Sequence, residues 1–357
     1  MSRWPEGGSG RMLHLVDRLA DQLLESAGLP GLDEAAAAGP APARVVLCGM
    51  GGSAIAGDLV APLLPEVQLA VHRDYGLPRW AGADDLVIVS SYSGDTEEAL
   101  AGWDEAGRRG CRRLALTSGG ALAALAAARD VPVVRLPGGL PPRASLGYGL
   151  GALVRVLGLL QALPDAAAEV DAAAAGLRAA APGRLAPYAR AGEASPVPAD
   201  EPPARAVAES LHGRVAVIHT AGAEAHAAGL RLKAQLNENA KVPALLAAYP
   251  ELDHNELVGW AADQDLRDRF VLLILRGRCD HERLDRRVAV TRGLLAGQFA
   301  AVHEIAARGQ RPLARIMSLV QYGDFVSCHL ADLRGIDPVP VDRITRLKEA
   351  LAEGPGA

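Results

Sequence analysis

Three times between Arg44 and Leu136 a short apolar run ends in a polar, glycine-bearing turn and passes straight into a helical pattern. The run RVVLC (Arg44 to Cys48) enters GMGGSAIAGD, Leu86 to Val89 enters SSYSGDTEE (Ser90 to Glu98), and Arg113 to Leu116 enters TSGGAL. Apolar runs without alternation are strands covered on both faces, and strands alternating with helices make a parallel sheet. The three turns then fall at the carboxyl ends of successive strands, where a doubly wound α/β sheet opens its ligand crevice. Such a crevice suits a small phosphorylated ligand. In SSYSGDTEE the helix dipole, free backbone N–H groups and hydroxyls converge: Ser91 and Ser93 line the turn, Gly94 admits the anion to the backbone, and Thr96 opens the helix. The competing reading of the same residues is a plain helix cap, Asp95 with Glu98 forming a capping box. In the first turn Gly52 and Ser53 stand in the spacing G-x-G-G-S. A dinucleotide loop would need an acidic residue closing the next strand, but Gln68 to Val71 is followed by His72 and Arg73 before Asp74.

A second alternating unit follows: strand Val215 to His219, helix around Ala223 to Leu236, strand Val271 to Leu275, helix around Glu282 to Leu295. With 357 residues, half of them hydrophobic, the chain can fill two cores. The expected division is a first domain over 1–164, an Ala/Pro-rich surface helix and linker over 165–205, and a second domain over 206–357. The second unit's first turn, HTAGAEAHAAG, keeps its glycines without the serine cluster, so one phosphate site per subunit is expected.

A net charge of −5 with acids and bases interspersed offers no basic field for nucleic acid or an anionic membrane. The longest apolar stretch, Leu146 to Leu163, carries Arg155 and four glycines and reads as a packed helix, not a membrane span. No secretory apolar run opens the chain, and a cytoplasmic protein is expected. Cys48, Cys111, Cys279 and Cys328 lack C-x-x-C spacing and are expected as small buried residues. His212, His219 and His226 recur every seven residues without metal-ligand spacing, so catalysis with neither metal nor cofactor is expected.

The turn S-x-S-x-x-T at Ser91, Ser93 and Thr96 resembles that of sugar isomerase (SIS) domains. Three further segments, GLPPRASLGY (Gly139 to Tyr148), QLNENAKVPA (Gln235 to Ala244) and ELDHNELVGW (Glu251 to Trp260), resemble the bifunctional phosphoglucose/phosphomannose isomerase family, and the resemblance covers nearly the whole chain. It implies two SIS domains, each an α-β-α sandwich, in a homodimer whose active sites lie where domains and subunits meet. It implies that Glu238 is the proton-transferring base and that His254, supplied by the neighbouring subunit from the amino end of a helix, opens the sugar ring. It also implies a role in ring opening for Lys348, although Arg343 and Arg346 compete for that position. Pro141 and Pro142 would fix Arg143 at the crevice mouth as a cation for the enediolate. Where the family often carries a threonine, Val339 and Val341 flank Pro340, which puts tolerance at the sugar's second carbon in question.

Moving a proton between adjacent carbons of an open-chain sugar needs a carboxylate base, an acid–base group for the ring oxygen and a cation near the enediolate. The expected reaction is isomerisation of glucose 6-phosphate, and of mannose 6-phosphate, to fructose 6-phosphate through a cis-enediol. The alternatives are a non-catalytic sugar-phosphate sensor, which would have a decayed acid–base set or an attached DNA-binding region, and an aminotransferring or deaminating enzyme with a different base motif.

Overall fold

The computed structural model describes residues 7–184, 201–260 and 264–353. Strands β1 (Arg44–Gly49), β2 (Gln68–His72), β3 (Leu86–Ser90), β4 (Arg112–Thr117) and β5 (Val133–Arg135) form a parallel sheet in the order β2-β1-β3-β4-β5. A second parallel sheet joins β6 (Val215–Ala221), β7 (Ala244–Ala248), β8 (Phe270–Arg276) and β9 (Ala301–Ala306) in the order β7-β6-β8-β9. Both sheets are covered by helices, as two doubly wound α/β domains require.

The inner faces of the two sheets share one core. Leu47, Ile88 and Leu116 from the first and Ile218, Leu273 and Leu275 from the second belong to a single apolar cluster. Through it runs the helix Pro312–Leu333, buried from Leu313 to Ala331 with Arg315 the exception. A helix buried on all sides must be enclosed by others, and this one packs on the helices Gly8–Asp17, Ala166–Arg184, Ala204–Leu211 and Ala223–Glu238. Each outer sheet face has its own core, around Trp103 on the first and around Ile274 and Val288 on the second.

The reading of 165–205 as a surface helix and linker needs correction over its first part. Ala166–Arg184 is helical, but Val170, Ala173, Ala174, Leu177 and Ala181 are buried, against the long helix. Small alanine side chains let two helix axes approach closely, so an alanine-rich stretch can be interior. Its Glu169 Oε2 accepts the Leu313 N–H at 2.9 Å in the first turn of the long helix, and Arg184 grips Glu201 with two hydrogen bonds of 3.0 and 3.1 Å. Most of the proline-rich remainder, 185–200, lies outside the described residues. Cys48, Cys111 and Cys328 are buried as expected, whereas Cys279 is half-buried; none is paired. Among the described residues no helix is long and apolar enough to cross a membrane.

Candidate active site at the domain junction

The first sheet reverses its winding between β1 and β3, and Gly49 is the direct partner of Ser90 in the ladder. The turns after these strands therefore face one another at the switch point. Ser53 Oγ accepts the Tyr92 N–H at 3.1 Å, which ties the first turn to the second. Ser91 is buried; its Oγ lies 3.0 Å from Thr96 Oγ1 and accepts the Gly94 N–H at 3.1 Å. Ser93 is exposed at the tip and Thr96 is half-buried. Gly94 has φ 83°, and a Cβ there would overlap the Gly119 carbonyl, so this turn can only close with glycine.

The capping-box reading fails. The N-cap of helix Glu97–Arg108 is Thr96, and no side chain among the described residues caps it. Asp95 Oδ1 instead accepts the Ala121 N–H at 2.8 Å, serving the helix Gly120–Ala127 that follows β4. The uncapped amino end of Glu97–Arg108 remains a site of partial positive charge beside three hydroxyls, the surroundings that a phosphate prefers.

Gly52 joins this seat to the turn that carries Arg143. A Cβ on it would stand 3.1–3.2 Å from the backbone of Pro142 and Arg143, so the two turns are in close contact. From below, Gln22 of the helix Leu19–Glu25 brackets the Arg143 turn, donating to Ala144 O at 2.8 Å and accepting from Gly147 N at 3.1 Å. Arg143 was expected at the crevice mouth; its side chain is only 4% exposed. Its Nε donates to Asn239 Oδ1 at 2.8 Å, Nη1 to Glu238 Oε2 at 3.3 Å, and Nη2 to the carbonyls of Pro338 and, at 3.1 Å, Val339. Burial lowers the Arg143 pKa from its ordinary value, and the Glu238 carboxylate opposes that shift. Glu238 ends the helix Ala223–Glu238 with its side chain 28% exposed. A cavity of about 250 Å³, lined among others by Gly51, Gly52, Arg73, Arg143 and Glu238, lies at this junction.

Apart from Asn239, which with Asn237 sets amides beside Glu238 in the sequence as a hydrogen-bonded polar site would, the support beneath the pair left no mark there. Arg231 binds Asp324 through Nε at 2.9 Å and Nη2 at 2.7 Å, and Gln235 donates to the same carboxylate at 3.0 Å. Asn239, fully buried, donates to Ser327 Oγ at 3.0 Å and thereby holds the amide oxygen toward Arg143. Lys241 Nζ donates to the carbonyls of Glu238, Pro338 and Pro340, the last at 2.6 Å, and burial with the Arg143 charge nearby lowers its pKa. Arg73, which in the sequence argues only against a dinucleotide loop, enters the cavity paired with Asp58.

Two of the expected residues stand apart. His254 is the exposed last residue of the 3₁₀ turn Glu251–His254, one position before Asn255, which caps the short helix Glu256–Gly259. Lys348 is exposed on the helix Asp342–Ala352. Neither lines the cavity nor the adjoining cleft of about 900 Å³, where Glu238, Lys241, Val341 and Arg343 are found. Among the seven-residue histidines, His219 pairs with Glu256 and His226 with Thr220.

The corresponding crevice of the second sheet, between β6 and β8, is filled. Glu224, in the first turn of its helix, accepts the Arg278 N–H at 3.2 Å and three hydrogen bonds of 2.6–3.1 Å from Arg315.

A doubly wound sheet with a hydroxyl-lined anion seat, joined to a second such sheet through a carboxylate–guanidinium pair, defines an SIS-type phosphosugar isomerase. Residues 200–351 match the family model described as bacterial phospho-glucose isomerase C-terminal SIS domain. The chain is 35% identical over 316 residues to the bifunctional phosphoglucose/phosphomannose isomerase of Caldicellulosiruptor bescii, covering 87% of this chain and 90% of that one. It is 34% identical to the enzyme of the same name from Aquifex aeolicus, covering 86% and 90%. A hypothetical protein from Thermus thermophilus shares the fold, with a TM-score of 0.73 and 19% identity over 97% of this chain and 94% of that one. The chain belongs to the bifunctional phosphoglucose/phosphomannose isomerase family.

Proposed function

We propose that the protein interconverts glucose 6-phosphate and mannose 6-phosphate with fructose 6-phosphate in the cytoplasm, as a homodimer that needs no metal. The observation that carries this reading is the Glu238 carboxylate 3.3 Å from the Arg143 guanidinium, lining one cavity with Gly52 of the phosphate turn. The substrate phosphate sits among Ser53, Ser91, Ser93, Thr96 and the uncapped helix end. Glu238 takes the proton from the second carbon of the open-chain aldose, leaving a cis-enediolate whose charge faces Arg143. The hydroxyl proton on the second carbon's oxygen passes to the first carbon's oxygen, and the Glu238 carboxylic acid returns its proton to the first carbon, giving the ketose. Both epimers yield one enediol, so one base serves both. Since proton transfer between adjacent carbons needs only a base and a cation, no metal is called for.

Ring opening falls to the His254 imidazole of the partner subunit, assisted by Lys348. The exposed position of His254, beside Val258 at 79% exposure, and the apolar cleft next to Glu238 support this arrangement, which a two-fold dimer would repeat twice. The working division remains 1–164, 165–205 and 206–357, with the helix of the middle segment now part of the shared core.

A coupled assay with glucose 6-phosphate and mannose 6-phosphate, with and without chelator, tests the proposal. Full activity in chelator is expected, and Glu238→Gln is expected to lose about 10²- to 10⁴-fold in turnover while still binding a sugar-phosphate analogue. Activity lost to chelator and restored by zinc, or near-normal turnover without Glu238, would overturn it.

A further inference from the structure

The turn that carries His254 is fastened on both sides of that residue. Leu252 is buried in the outer core of the second sheet. Asp253, its side chain 9% exposed, accepts the buried Thr291 hydroxyl at 2.7 Å and Arg287 Nη1 at 3.3 Å, both from the helix Glu282–Leu294. Asn255 caps the next helix and donates to Glu251 at 3.0 Å. Glu256 Oε1 receives Trp260 Nε1 at 2.9 Å and faces His219 Nε2 at 3.0 Å, where His219 is fully buried on β6. Because His219 Nδ1 is buried without a partner among the described residues, the tautomer with the proton on Nε2 leaves only a lone pair unmet, and His219 donates to Glu256. That hydrogen bond lowers the Glu256 pKa from its ordinary value. Between these anchors the His254 side chain stands exposed.

We infer that Glu256 and Asp253 are positioning residues for His254, pinning its turn to strand β6 and to the helix Glu282–Leu294 so that the imidazole is presented in a fixed pose. The inference rests on the role proposed for His254. A base held by neighbours that are themselves hydrogen-bonded loses little freedom on engaging its substrate, whereas a free loop residue would have to find its pose in every turnover.

The test is a double-mutant cycle read on turnover of glucose 6-phosphate. Glu256→Ala is expected to lower kcat about 10- to 100-fold with KM changed less than about threefold. In a His254→Ala background the same substitution is expected to remove nothing further. Losses that multiply in the double variant, or full turnover in Glu256→Ala beside a crippled His254→Ala, would overturn the inference while leaving the role of His254 standing. Full turnover in His254→Ala would overturn both, and is distinguishable because it appears in that single variant. If Glu256→Ala melts early, Thr291→Val enters the same cycle, since it removes only the hydroxyl that holds Asp253. Glu256→Gln keeps an acceptor oxygen for His219 and is expected to recover most of the loss; no recovery counts against positioning.

Discussion

Arg231 and Asp324 form a buried pair across the base of the junction, with Nη2 and Oδ2 2.7 Å apart, and the same Nη2 donates to the Arg143 carbonyl at 2.9 Å. The ion pair therefore fixes the backbone of the residue whose guanidinium meets Glu238. Asp324→Asn would leave a buried guanidinium short of its counter-charge. Stability is expected to fall by about 3–5 kcal/mol, the usual result of breaking a buried pair from one side. Denaturant unfolding measures it, and a loss below about 1 kcal/mol, the range of exposed pairs, would mean water reaches the site.

Asn239→Leu removes the amide that holds Arg143 Nε and fills its place with carbon. Since Arg143 is expected to act on the enediolate rather than on the ground-state sugar, kcat should drop about 10- to 100-fold with KM little changed. An increase in KM alone would make Arg143 a binding residue only.

Gly94→Ala puts a Cβ into the Gly119 carbonyl at a left-handed φ. The turn must open and the phosphate seat with it, so the KM for hexose 6-phosphate should rise about tenfold or more while kcat changes less. Steady-state kinetics decide this, and an unchanged KM would move the phosphate elsewhere.

Val341 lines the cleft beside Glu238, whereas Val339 packs against the shared core and offers its carbonyl to Arg143. Val341→Thr should shift the ratio of specificity constants for mannose over glucose 6-phosphate upward by about tenfold, the scale of one hydrogen bond to a substrate hydroxyl. The same change at 339 should leave the ratio alone. Equal effects from both would refute the distinction.

Burial lowers the pKa of both His303 and His329 from the ordinary histidine value. In the folded protein these rings hold a proton less tightly than in the unfolded chain. Their contribution to stability is thus complete above the unfolded value of about 6.5 and is lost as pH falls toward the folded one, by up to about 1.4 kcal/mol per pH unit per proton. Unfolding midpoints followed from pH 8 to 5 should decline below about 6.5. A His329→Asn protein with an unaltered pH profile would exclude that ring as a contributor.

The central strands β1 and β3 of the first sheet were legible because they are buried almost throughout and so read as unbroken apolar runs ahead of their turns. Edge strands β7 and β9 are half exposed: ALLAA is apolar but built largely of alanine, which favours strands little, and AVHEIA is interrupted by His303 and Glu304. The helix Pro312–Leu333 went unread for a related reason: Gln321, Asp324 and His329 interrupt its apolar pattern, and each is buried because it finds a partner far along the chain. Arg231 and Asp324 are 93 positions apart, a pairing that no local pattern encodes. Asp95 shows the same limit at short range, since the spacing to Glu98 satisfied a local rule while the fold delivered a neighbouring helix as the better partner for its charge.

Glu224 gives the second sheet a tethered competitor. Its carboxylate meets Arg315 and the Arg278 amide at an effective concentration no dissolved metabolite attains. A molecule with two crevices of common design is therefore expected to seat its substrate's phosphate in one of them. Saturation should follow a simple hyperbola with one phosphate bound per chain, and the second crevice should stay closed to phosphate however much sugar phosphate the surroundings hold.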